Sequence, residues 1–118
     1  MMRFGCWFSV ACIVALTATS IALAMRNSDP PRYADPHRGA KLVESYGCLA
    51  CHDTGRVGPP FAHMGRRGYI AGRYPNIDIW MIEWIEHPQQ LKPGTAMPNL
   101  GVTERDARDI AAYLATLR

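Results

Sequence analysis

The sequence predicts an all-α fold of three to four short helices joined by long loops. Two of the observations behind this prediction are well-marked helix ends and apolar residues that recur at helical spacing. The third is the run Cys48-Leu49-Ala50-Cys51-His52. Two thiols three positions apart, followed by an imidazole, are typical of covalent haem attachment. We therefore expect the helices and loops to wrap around one covalently bound haem c.

Other kinds of site also use a Cys-x-x-Cys pair. A thioredoxin-like redox pair belongs to a βαβ context, and a structural zinc ion takes four nitrogen or sulphur ligands, often from a second pair. No cysteine follows Cys51, and the later histidines, His63 and His87, stand alone in the sequence. The pattern favours haem, and a redox or incidental cysteine pair is the alternative.

The length of the chain limits the number of domains and the size of the core. The chain has 118 residues, enough for one domain. A folded part of about ninety residues buries little surface, so the haem would supply much of the core and the apoprotein is expected to be largely unfolded.

The net charge of +3 is too small to predict nucleic-acid binding. The sequence also has no phosphate-binding glycine loop, nucleophile elbow or paired carboxylates.

The first residues have the features of a targeting segment. Residues 4–25 carry no charge, and Ala22-Leu23-Ala24 has the small-x-small form of a signal-peptidase site. The apolar run is also long enough to cross a bilayer, since about 20 residues suffice for a helix. Residues 1–24 are therefore predicted to be either a cleaved signal peptide or an N-terminal membrane anchor. Both place the remaining chain outside the cytoplasm.

A short tether and one domain follow this segment. Residues 25–34 include Pro30 and Pro31 and are hostile to a helix. We expect them to form a tether, and residues 35–118 to form the domain.

The first helix of the domain has a clear start and end. Asp35 is a suitable N-cap, Pro36 suits the first helical position, and Gly47 suits the position after the last turn. Small or apolar residues fall on one face, where another helix could approach closely: Gly39, Ala40, Val43 and Tyr46.

Residues 53–74, which we call the arginine-rich loop, show no sustained periodicity. A loop of this length usually has a functional reason, and wrapping a cofactor is a sufficient one. Its arginines are expected to be solvated, to contact a haem propionate, or to attract an acidic partner. They are Arg56, Arg66, Arg67 and Arg73. No strand is predicted here or elsewhere.

The next helix is predicted to begin with Asn76 or Asp78 as its cap and to end at Pro88. Its apolar stripe consists of Ile77, Trp80, Met81, Trp84 and Ile85. Residues 89–100 are predicted to be a second loop. The final helix begins after Thr103 as N-cap. Its predicted buried face consists of Ala107, Ile110, Ala111, Leu114 and Leu117.

Taken in order, these segments resemble the class I cytochromes c, the small single-haem family of bacterial periplasm and mitochondria. The resemblance covers roughly residues 35–118 and implies the cytochrome c-like fold. The matching blocks are residues 39–47, the haem motif, Gly58-Pro59-Pro60, residues 84–88, residues 93–98 and residues 109–114.

The resemblance also implies roles for particular residues. Cys48 and Cys51 would bind the haem covalently, His52 would be the proximal iron ligand and Met97 the distal one. His63 and Met64 are the alternative ligands, whereas Met81 is expected in the core.

Further family positions concern the surroundings of the ligands. The carbonyl of Pro59 would accept a hydrogen bond from the proximal imidazole, and the hydroxyl of Thr95 would reach a propionate. Trp84 stands where mitochondrial members carry a tyrosine, and an indole offers only an N–H donor. Gly39, Tyr113 and Leu114 match the crossing of the first and last helices.

With both axial positions filled, such a haem transfers electrons and binds no substrate. The predicted function is therefore a monomeric one-electron carrier, not an enzyme, in the periplasm or anchored to the outer face of the cytoplasmic membrane. Its donor would be a quinol–cytochrome c reductase or a periplasmic dehydrogenase, and its acceptor a terminal oxidase. The alternatives are a haem-bearing subunit of an oxidase or dehydrogenase complex, and a ligand-binding haem sensor or peroxidase-like protein.

Overall fold

The computed structural model describes residues 33–118, of which Ala34–Arg118 form one compact unit. The predicted signal or anchor segment, residues 1–24, lies outside the described residues, as does nearly all of the predicted tether. The described elements are α1 (Pro36–Ser45), α2 (Leu49–His52), a 3-10 turn (Met64–Arg66), β1 (Tyr69–Ile70), β2 (Tyr74–Pro75), α3 (Asp78–Glu86), α4 (Pro88–Leu91) and α5 (Glu104–Thr116). Among these residues no helix is long and apolar enough to cross a bilayer.

Helix α1 begins and ends where the sequence predicts. The Asp35 side chain accepts hydrogen bonds from the backbone N–H groups of His37 and Arg38, at 2.9 and 3.2 Å, and Pro36 occupies the first turn. Gly47 has φ +69°, a left-handed conformation that glycine adopts at little cost. The chain can therefore turn directly from α1 into α2.

Helices α1 and α5 cross at Gly39. A Cβ atom added there would lie 2.0 Å from the Asp109 carbonyl oxygen and 2.9 Å from Tyr113 Cβ. The two backbones are thus closer than any larger residue permits, as the small-residue face of α1 predicts. Val43, one turn further along α1, is buried in the same interface.

Ionic hydrogen bonds also join these two helices. Arg38 forms ion pairs with both Asp106 and Asp109, and the Asp109 carboxylate accepts a hydrogen bond from the Asp35 backbone N–H at 2.8 Å. The Tyr46 hydroxyl donates to Asp106 at 2.8 Å. Asp109 is buried, and the Arg38 guanidinium and the Asp35 N–H satisfy its carboxylate, which would otherwise be costly to bury.

Helix α5 lies at the centre of the core and packs against α1, α3 and the 3-10 turn. As predicted, Thr103 is its N-cap, and its side chain accepts from the Asp106 N–H. The buried apolar residues are Val43, Met64, Ile70, Met81, Ile85, Val102, Ala107, Ile110, Ala111 and Leu114. The predicted apolar face of α5 supplies four of them, and Leu117 packs at the edge.

The start of α3 differs from the prediction. The N-cap is Ile77, with extended backbone and no side-chain hydrogen bond, and not Asn76 or Asp78. The Asn76 amide instead donates to the carbonyls of Met64 and Arg67, at 2.8 and 2.9 Å. Ile77, predicted in the apolar stripe, is 53% exposed because it precedes the first helical turn.

Two further predictions were wrong. Residues 88–91 form the short helix α4, which takes up the first residues of the predicted second loop (89–100), because Pro88 follows α3 and begins another turn. Residues 69–75 form a small antiparallel hairpin with Ile70 opposite Tyr74. Ala71 and Gly72 make its turn, and both have positive φ. The hairpin depends on these backbone conformations, and the sequence has no alternation of apolar residues here that would predict strands.

Candidate haem-binding site

The two cysteines lie at the ends of a single helical turn. Cys48 directly precedes α2 and Cys51 lies within it, and both are free, half-buried thiols. Burial raises the pKa of the Cys48 thiol, which keeps it protonated. Addition of an S–H group across a vinyl double bond forms a thioether without a leaving group. Two thiols on one helical turn suit a porphyrin with two vinyl groups.

The imidazole of His52 ends the same turn. Its Nδ1 atom lies 2.8 Å from the Pro59 carbonyl oxygen, the contact that the family resemblance implies. A carbonyl only accepts hydrogen bonds, so Nδ1 carries the hydrogen, and in the neutral ring the lone pair is then on Nε2. This is the tautomer that a metal-binding histidine requires, and the carbonyl fixes its orientation.

Two contacts of this imidazole were not expected from the sequence. The ring of Phe61 stacks on His52, with centroids 4.6 Å apart and an interplanar angle of 15°. A Cβ atom on Gly58 would lie 2.5 Å from His52 Cε1, so only glycine fits beside the ring. The Gly-Pro-Pro motif signalled the glycine position, but no local pattern signalled the aromatic residue.

Met97 and Thr95 lie on the loop between α4 and α5, and both are half-buried. Their backbone carbonyls accept hydrogen bonds from the Gln89 side chain, at 2.7 and 2.8 Å. Trp84 is half-buried on α3 and packs against the core. Within residues 33–118, no hydrogen bond or ring contact connects the Met97 loop directly with His52.

The other candidate ligands differ in their surroundings. Met64 is only 6% exposed and is part of the apolar core, as is Met81. His63 is exposed and has a left-handed backbone, φ 59°. Among residues 33–118, Met97 is therefore the one methionine outside the core, and it lies on a loop that follows the haem motif.

The arginine-rich loop places its charges mostly at the surface. Arg67 is half-buried, and its guanidinium donates to the Pro60 carbonyl at 2.8 Å, beside the segment that holds His52. The guanidinium of Arg73 lies over the Tyr74 ring, 5.3 Å from its centroid. Arg56 and Arg66 are exposed. None of these arginines is described in an ion pair with an acidic residue.

This donor set is that of haem c: two adjacent thiols, an imidazole in the ligating tautomer and a thioether on a separate loop. Cys48, Cys51, His52 and Met97 are the residues that would hold the cofactor. The fold and the site together define the class of covalent haem proteins.

Comparison with known proteins identifies the family. The sequence profile described as Cytochrome c matches residues 36–118. The chain is 35% identical over 108 residues to cytochrome c2 of Rhodopila globiformis, a match covering 77% of this chain and 99% of that protein. It is 26% identical over 80 residues to cytochrome c-552 of Hydrogenobacter thermophilus, covering 66% of this chain and 80% of that protein.

A larger protein also contains a similar segment. The chain is 36% identical over 87 residues to cytochrome c oxidase subunit 2 of Alkalihalophilus pseudofirmus, covering 70% of this chain but only a quarter (25%) of that protein. No solved structure matches the chain.

The chain belongs to the cytochrome c family. It has the mostly α-helical cytochrome c-like fold, carries covalently bound haem c, and is a single-haem electron carrier that exchanges electrons with redox partners. The predicted fold class, the haem c cofactor and the role of single-haem electron carrier are thus confirmed.

Proposed function

We propose that this protein is a one-electron carrier, and not an enzyme, that works outside the cytoplasmic membrane with His52 and Met97 as axial iron ligands. The observation that carries the proposal is the His52 imidazole, which the Pro59 carbonyl holds in the ligating tautomer at the end of the Cys-x-x-Cys turn. Haem with histidine and methionine ligands supplies a one-electron iron couple and no open coordination position.

The protein's residues hold the site rigid. Pro59 and Gly58 fix the imidazole on one side, while Gln89 fixes the backbone of the Met97 loop on the other. A site that changes little between oxidation states needs little reorganisation at each electron transfer. The donor would be a quinol–cytochrome c reductase or a periplasmic dehydrogenase, and the acceptor a terminal oxidase.

Optical spectra of the haem-loaded protein test the ligand assignment. The ferric protein is expected to be low-spin, with the weak red band of methionine-to-iron charge transfer, and Met97→Ala should abolish the band. Met64→Leu is the matched control, because Met64 is a core thioether and its replacement should leave the band in place. A high-spin ferric spectrum, or a band lost only in Met64→Leu, would refute Met97 as ligand. Rapid carbon monoxide binding by the ferrous wild type would favour a haem sensor instead.

A second candidate is a haem-bearing subunit of an oxidase complex. The similarity to a cytochrome c oxidase subunit 2 favours it. Fractionation of the native host distinguishes the two functions. A free carrier is recovered as a monomer from the periplasm or after a salt wash of membranes, whereas a subunit stays with detergent-solubilised oxidase activity.

The same preparation tests the proposed N-terminal segment. The mass of the mature protein shows whether residues 1–24 have been removed. A chain beginning after Ala24 supports a signal peptide, and an intact N-terminus recovered with membranes supports an anchor.

A further inference from the structure

The side chain of Gln89 spans from α4 to the loop that carries Met97. Its Nε2 atom donates to two backbone carbonyls, those of Thr95 at 2.8 Å and Met97 at 2.7 Å. Its Oε1 atom accepts from the Gly94 N–H at 3.3 Å. One side chain thus contacts three backbone groups within four consecutive residues.

The chemistry of the primary amide matches this loop. A glutamine side chain has two N–H donors and one carbonyl acceptor, and the loop presents two carbonyls and one N–H. The orientation of the amide follows, because the carbonyls of Thr95 and Met97 can only face the nitrogen. A carboxylate in this place could accept from Gly94 but would face both carbonyls without a donor.

The helix that carries Gln89 is itself firmly placed. Pro88 is among the most completely buried residues, and the Leu91 carbonyl accepts a hydrogen bond from the Tyr74 hydroxyl at 2.9 Å. The Thr95 N–H donates to the Lys92 carbonyl at 3.1 Å, which closes a turn between α4 and Met97. Gln89 therefore ties the loop to a fixed support.

We propose that Gln89 is a positioning residue that sets the place of the Met97 backbone and thereby strengthens the bond between the Met97 sulphur and the iron. This proposal rests on the proposed function, in which Met97 is the distal ligand. Gln89 is then the counterpart of Pro59: each holds one axial ligand through a hydrogen bond that does not touch the metal.

The test compares three variants of the haem-loaded protein. Gln89→Met keeps the length of the side chain and removes all three hydrogen bonds. Gln89→Glu keeps the acceptor and removes both donors. Gln90→Met is the matched control, because Gln90 is exposed on the same short helix.

Two readouts are measured in the ferric state. Imidazole binds only after Met97 leaves the iron. Its binding rate should therefore rise about tenfold in both Gln89 variants, which corresponds to a loss of about 1.4 kcal/mol of loop stabilisation. Amide hydrogen exchange over residues 92–97 should accelerate similarly, while residues 104–116 keep their protection. Gln90→Met should match the wild type in both.

The proposal is overturned if the loop exchanges at the control rate in both Gln89 variants, or if exchange rises equally throughout the domain, which would indicate only lower overall stability. Should Gln89→Met fail to mature with haem, Gln89→Glu gives the same comparison. A wild type without the methionine band would refute the proposed ligand set, whereas loop exchange would still report whether Gln89 holds the loop. The two failures are therefore distinguishable.

Discussion

Replacement of Gly39 by alanine tests the closeness of the α1–α5 crossing. In an ordinary helix this substitution stabilises the protein by about 0.5–1 kcal/mol, because glycine loses more backbone entropy on folding. The structure predicts the opposite sign here. The added Cβ would lie 2.0 Å from the carbonyl oxygen of Asp109 and 2.5 Å from its carbonyl carbon.

The size of the effect follows from what the new methyl group meets. A flexible side chain could move away, but the Asp109 carbonyl belongs to the backbone of α5, so the two helices must separate. Overpacking of this kind costs about 1–3 kcal/mol, and a backbone collision belongs at the upper end. After the helix-propensity gain is subtracted, about 2 kcal/mol of net destabilisation remains. For a domain of this size, it lowers Tm by about 8–16 °C.

Thermal unfolding of the ferric haem-loaded protein, followed by circular dichroism at a helical wavelength, measures the shift. Gly68→Ala is the matched control, because a Cβ there meets nothing within 4 Å and the backbone φ is not positive. Its Tm is expected to stay within about 2 °C of the wild type or to rise slightly. If Gly39→Ala were as stable as Gly68→Ala, the described helix crossing would be wrong.

Three other predictions concern pH, the imidazole and salt. Partial burial acts to raise the pKa of Asp106, but hydrogen bonds from Tyr46 and Arg38 outweigh it and lower that pKa. A carboxylate with a depressed folded-state pKa stabilises the fold above its unfolded pKa, near 3.9, and ceases to do so as the pH falls through the folded value. Asp106→Asn should therefore be less stable than wild type at pH 7 in urea unfolding, and this deficit should shrink as the pH falls below the unfolded pKa; a deficit that stays constant as the pH falls would contradict the linkage. Gly58→Ala should push the His52 ring from its place and reduce the yield of low-spin haem protein, whereas normal spectra would show that the ring has room to move. If the arginine-rich loop attracts an acidic redox partner, stopped-flow electron-transfer rates should fall steeply from low to physiological ionic strength, and a flat response would exclude that role.

Features that depend on neighbouring residues were predictable from the sequence. Asp35 and Thr103 cap their helices because a side-chain oxygen needs only the N–H groups of the next turn. The haem motif is equally local, since its parts lie within one helical turn. The small residue at Gly39 indicated a close approach, although the sequence alone did not show which backbone atoms it meets.

Features that depend on distant residues were not predictable in the same way. Asn76 is a good capping residue, but its side-chain amide donates instead to the carbonyls of Met64, in the 3-10 turn, and Arg67, directly after it. Asp109 is buried because Arg38, 71 positions away, pairs with it. The partners of Gln89 lie only five to eight positions further along the chain, but the turn that brings them back to its side chain has no periodic pattern that would predict it. In each case tertiary contacts decide what a polar side chain does.

The crossing of α1 and α5 also affects the order in which the domain is assembled. Gly39 and Asp109 lie near opposite ends of the described chain, so the domain cannot close until α5 has been synthesised and has come back to α1. The two thiols and His52 precede α5 by about fifty residues, so they are accessible while the chain is still open. Bringing α5 back to α1 closes a long loop, and the entropy cost of closing it slows folding. A truncated chain that lacks α5 would keep every atom needed for covalent attachment and lose the partner that buries Val43.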